Sequence, residues 1–129
     1  MESRNDYLLV FYGLQMRFDE AKIYGGASFA PIRSTCNEFD QHNPSIQFVT
    51  KSNGLLMFDI FIDGEINNYI INKWHVLSTK CTFLFIVVPK DKMQNIEITC
   101  CKEGLSNYQI VPFYFNRNGN NRDVIFENI

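Results

Sequence analysis

The chain has 129 residues, which fits one domain, large enough to bury a real core without disulfide staples. Its 12 basic and 14 acidic residues leave a net charge of −2, so there is no electrostatic footprint for nucleic acid or an anionic membrane. Fourteen Ile, seven Val and 19 aromatic residues stand against three Ala, and branched and aromatic side chains suit a pleated surface, which predicts an all-β domain.

In chain order, the first strand is expected at Asp6–Tyr12 and continues into Gly13-Leu14-Gln15-Met16. Asp19-Glu20-Ala21-Lys22 reads as a turn, Ile23-Tyr24 and Ala27–Arg33 as extended pieces, and Cys36–Ser45 as a long polar loop. Ile46–Thr50 is a short strand. Leu55–Ile62 and Glu65–Ile71 flank Asp63-Gly64, and Asp-Gly between two β-prone runs predicts a type I′ hairpin, because both central residues of that turn need positive φ. Asn72–Lys80 reads as a polar break anchored by Trp74, Val76 and Leu77. Cys81–Val88 is the next strand; Gln94–Cys100 alternates, with Ile96, Ile98 and Cys100 on one face. Tyr108–Phe115 is the last long strand, with Pro112 at an edge or bulge. Residues 116–122 form a polar loop, and Asp123–Phe126 a final strand or tail. About eight strands without a helical period predict a jelly roll, sandwich or barrel.

Three of these strands are apolar on both faces. In Cys81–Val88, Phe83, Phe85 and Val87 share one face, and Leu84, Ile86 and Val88 the other. Tyr7–Tyr12 and Leu55–Ile62 behave similarly. With no amphipathic helix in this reading to cover the second face, Phe83–Val88 becomes a candidate subunit interface, since monomers rarely expose large apolar patches. The alternative is cover by the Cys36–Ser45 loop.

Residues for chemistry are scarce. His42 lies in a polar loop and His75 follows Trp74; neither sits in a nucleophile motif. Asp59 and Asp63 are a possible carboxylate pair, but the turn explains Asp63 and the sheet surface explains Asp59. Residues 116–123 look oxygen-rich yet lack the leading Asp and distant Glu of a calcium loop. Gly25-Gly26 lies outside a phosphate-loop context. Cys36, Cys81, Cys100 and Cys101 lack zinc-ribbon spacing and read as reduced thiols of an intracellular protein. No secretory signal and no membrane-length apolar segment is visible. The expectation is no enzyme, no metal and no cofactor.

The order of features resembles the nucleoplasmin-like core domain of nucleoplasmins, insect nucleoplasmin-type FKBP proteins and plant HD-tuin proteins. Phe11-Tyr12-Gly13-Leu14 fills the family's aromatic-aromatic-Gly-aliphatic signature; Lys22-Ile23-Tyr24 and Ile32-Arg33-Ser34 match later elements. Leu56–Ile62, Asp63-Gly64 and Glu65–Ile71 resemble its central hairpin, and Lys80–Tyr114 its ending. The resemblance covers about 7–115 and implies an eight-stranded jelly roll, a ring-shaped pentamer, a nuclear location and histones as partners. The acidic tracts with which members hold histones are absent from this chain.

The sequence therefore predicts a single all-β jelly-roll domain over residues 1–129. Its expected role is a non-enzymatic, homo-oligomeric scaffold, presenting several copies of one protein-binding surface to chromatin, histone or RNA-regulatory partners. The alternatives are a viral β-sandwich, capsid-like or host-antagonist, and a carbohydrate-binding module using Trp74 as its exposed platform.

Overall fold

A computed structural model describes residues 2–21, 45–49, 54–62, 64–119 and 121–128, without the side chains of 2–4, 18–21, 48, 49 and 118. The elements run α1 (Glu2–Ala21), β1 (Ile46–Val49), β2 (Leu55–Ile60), α2 (Asn68–Lys80), β3 (Phe83–Pro89), a 3-10 turn (Lys90–Lys92), α3 (Met93–Lys102), β4 (Tyr108–Asn118) and β5 (Asn121–Phe126). The five strands form one mixed sheet in the order β1-β2-β3-β4-β5. β2, β3 and β4 are parallel neighbours, in the registers Asp59↔Ile86 and Ile86↔Ile110, while β1 and β5 pair antiparallel at the two sides. This corrects the all-β, eight-stranded jelly roll: the protein is a mixed α/β domain.

Parallel neighbours need crossovers, and helices α2 and α3 supply them. Their buried residues Trp74, Leu77, Ile96 and Cys100 pack with Met57, Leu84, Ile86, Val88 and Ile110 on one face of the sheet. Helix α1 covers the other face, where Val10, Phe11 and Leu14 meet Phe58, Phe85, Val87 and Val111. β3 is therefore apolar on both sides because a helical layer lies on each, as parallel strands require.

The helices are visible in retrospect. Tyr7, Val10, Phe11 and Leu14 follow the i, i+3, i+4, i+7 spacing of one helix face, whereas Tyr12 and Met16 are exposed. The alternation of Ile96, Ile98 and Cys100 dissolves likewise: Ile96 and Cys100, four apart, are buried, and Ile98 points to solvent. The proposed strand Asp6–Tyr12 and the proposed strand Gln94–Cys100 are both helical.

The hairpin at Asp63-Gly64 is also corrected. Gly64 does take a positive φ of 93°, but Asp63 lies outside the described residues and the chain does not return as a strand. It enters α2, whose N-cap Asn67 accepts a hydrogen bond from the Ile70 amide at 2.9 Å. The extended pieces expected at 23–33, the elements around Lys22 and Ile32-Arg33-Ser34, His42, Cys36 and nearly all of the loop before Ser45 fall outside the described residues.

Candidate functional site at the carboxyl end of the parallel strands

Met57, Asp59 and Phe61 alternate onto the face that α2 covers, so Asp59 enters an apolar core. It is 3% exposed and is the buried charged residue among those described. A buried carboxylate must be paired, because desolvating it alone costs several kcal/mol. Asp59 is paired on both oxygens. Oδ2 accepts the indole N–H of Trp74 at 2.8 Å, and Oδ1 lies 2.9 Å from the Lys73 ammonium. Lys73 and Trp74 are successive residues on the second turn of α2, so one helix supplies both donors.

Two hydroxyls extend the cluster towards α1. Ser45 Oγ accepts the Ile60 amide at 3.0 Å and reaches Asp59 Oδ1 at 3.5 Å. The Tyr7 phenol hydrogen-bonds Ser45, and burial raises its pKa above 10.0, with the Asp59 charge adding to the effect; the Ser45 bond and Lys73 pull the other way. Tyr7 therefore stays protonated at neutral pH. Residues from α1, β2, α2 and the lead-in to β1 thus meet where β2 ends. In α/β sheets ligands bind outside the carboxyl ends of the strands.

The centre is nearly closed. Lys73 retains 20% side-chain exposure against 4% for Asp59, so the ammonium is its open member. Among the described residues, Asp59 takes one of the three ammonium donors. Burial pushes the Cys100 thiol up to about 11 and raises that of Cys81. Cys81, Cys100 and Cys101 are free cysteines. Among the described residues no group of three or more His, Cys, Asp or Glu is placed to hold a metal ion, and no described helix is long and apolar enough to cross a membrane.

Beyond the centre, the end of β3 opens into a cleft of about 580 Å³ whose lining includes Asp6, Ile62, Pro89, Phe113 and Phe115. Its rim is the 3-10 turn. There Lys90 pairs with Glu127 at 2.9 Å and lies 5.2 Å over the Tyr114 ring. Lys92 donates to the Gly64 carbonyl at 3.3 Å and sits 5.6 Å over Phe61. Phe61 in turn meets Trp74 edge-on, with centroids 6.2 Å apart.

The residues singled out from sequence are placed differently. Phe11 and Leu14 are core residues of α1, Tyr12 is exposed, and Gly13 is where α1 approaches β5. Leu84–Val88, the candidate interface, is buried between the chain's own helical layers, and Phe83 is partly buried beside them. Trp74 is fully buried, so it is no carbohydrate platform. Asp59 is not on a sheet surface. Its signal was present in the sequence: it is the acid inside Leu55–Ile62, a run whose other residues are all apolar. No family model matches this chain, and comparison with curated proteins and with solved structures finds no match.

Proposed function

We propose that the Asp59–Lys73 centre is the functional site and that it binds the phosphate of a phosphate-ester ligand. Lys73 faces the anion, Asp59 holds and orients the ammonium, and the Tyr7 and Ser45 hydroxyls, bonded to each other and through Ser45 to Asp59, hold the carboxylate in place. A lysine can bind phosphate as a point charge. The observation that carries the reading is the burial of Asp59. Replacing a buried ion pair by apolar residues is often neutral or stabilising, so stability alone gives little reason for a charged pair inside an apolar core.

The test is calorimetric titration of the protein with inorganic phosphate and glycerol 3-phosphate. Wild type and Lys73→Arg should bind, and Tyr7→Phe should bind more weakly. Equal affinity in wild type and in a folded Lys73→Met/Asp59→Asn variant would refute the assignment.

A further inference from the structure

Resting on the phosphate-ester reading, we infer that the ligand carries a flat aromatic body, as a nucleoside phosphate does, and that this body occupies the cleft at the end of β3. The cleft and the charged centre are neighbours along two elements. Asp6 lines the cleft, while the next residue of α1, Tyr7, reaches the centre; Ile62 lines it three residues after Asp59.

The volume, about 580 Å³, lies within the range of roughly 300–1,000 Å³ that holds small ligands. Phe115, half-buried and packed at 72° against the buried Phe113 with centroids 5.6 Å apart, contributes aromatic surface, and Ile62 and Pro89 add aliphatic surface. A base gains stacking or edge contact on such a wall whatever its identity.

The rim then sorts ligands by polarity. Asp6 and Asp91 accept hydrogen bonds from ring amino groups or sugar hydroxyls, and Lys90 and Lys92 donate to ring nitrogens or phosphate oxygens. A plain hydrocarbon would make no polar contact with these four groups, and a bare phosphate would leave the aromatic wall empty. Asp6 is held in place: it pairs with Arg122, whose guanidinium lies 4.4 Å over the Phe115 ring. The second cleft at this end, about 410 Å³, shares Lys92 but has Phe61 as its one aromatic residue, so it is the poorer seat for a base.

The experiment is amide chemical-shift mapping of the full chain titrated separately with 5′-AMP, adenosine and inorganic phosphate. AMP should move amides around residues 89–92 and 113–115 together with those around Ser45, Asp59 and Lys73. Adenosine should move the first set and phosphate the second. AMP should bind about tenfold or more tighter than phosphate. Lys90→Ala, at an exposed position, and Phe115→Ala should each narrow that gap. If phosphate moves the centre but AMP leaves the cleft amides still, the inference fails and the phosphate-ester reading stands. If no probe moves the centre, both fail.

Discussion

The two faces of the sheet differ in kind. Among the described residues each carries a core of eleven buried hydrophobic side chains, and Asp59 is a further buried residue on the α2/α3 face. The α1 face is wholly apolar, with Phe58 and Phe85 stacked at 4.5 Å. The α2/α3 face holds the Asp59 carboxylate bonded to Lys73 and Trp74 and a buried thiol at Cys100. The α2/α3 face carries buried groups that packing alone does not require, at the end of the sheet where α/β proteins bind ligands.

The contrast is broken most directly by one substitution on each face. Phe58→Ala should cost about 3–5 kcal/mol, from lost burial plus the cavity beside Phe85; urea unfolding measures it. Lys73→Met should cost a similar amount, about 3–5 kcal/mol, because it strands a buried carboxylate. The two losses differ in remedy. Adding Asp59→Asn to Lys73→Met removes the stranded charge, keeps an acceptor for the Trp74 N–H and should recover at least half of the loss. No polar substitution repairs Phe58→Ala.

Alkaline pH should act on the α2/α3 face through Cys100. Burial favours the neutral Cys100 thiol, raising its pKa from 9.0 to about 11. Below pH 9 the thiol is protonated in both the folded and the unfolded chain. Above it the unfolded chain ionises first, so about 2–3 kcal/mol of stability should be lost as pH rises from 9 through 11. Unfolding of Cys100→Ala should show a shallower slope over that range, the remainder coming from Cys81, Tyr7, Tyr108 and Lys90.

Smaller effects sharpen how each layer is fastened. A Cβ at Gly13 would lie 2.4 Å from Val124 Cγ1, so Gly13→Ala should lift α1 from β5. The expected cost is about 1–3 kcal/mol, outweighing the gain in helix propensity and relieved by Val124→Ala. Asn67→Ala removes the cap of α2 and should cost about 1 kcal/mol, read as a small drop in melting temperature.

The strands were legible in the sequence and the helices were not. Ile46–Thr50, Leu55–Ile62, Cys81–Val88 and Tyr108–Phe115 overlap β1 to β4, because unbroken apolar runs of β-prone residues suit buried strands. Helix α1 was hidden because Tyr7–Tyr12 is itself an unbroken apolar run, and its face, Tyr7-Val10-Phe11-Leu14, shows only at helical spacing. In α3, Ile98 completes an alternating pattern that the four-residue pair Ile96 and Cys100 contradicts. With those helices missed, the doubled apolar faces of β3 pointed to another subunit; the chain's own layers cover them. Asp59 was passed over for the same reason, since a strand thought to have a wet face can place an acid there. Once both faces are covered, that acid needs partners, and Lys73 and Trp74 stand together on the next element.

The most direct test of the charged centre is the Asp59→Asn/Lys73→Met variant, measured for unfolding free energy and phosphate binding together. Stability within about 2 kcal/mol of wild type and no detectable phosphate binding are expected. A variant that binds phosphate as wild type does would contradict that expectation, as would one that loses as much stability as Lys73→Met alone: the pair would then be a structural element of the core.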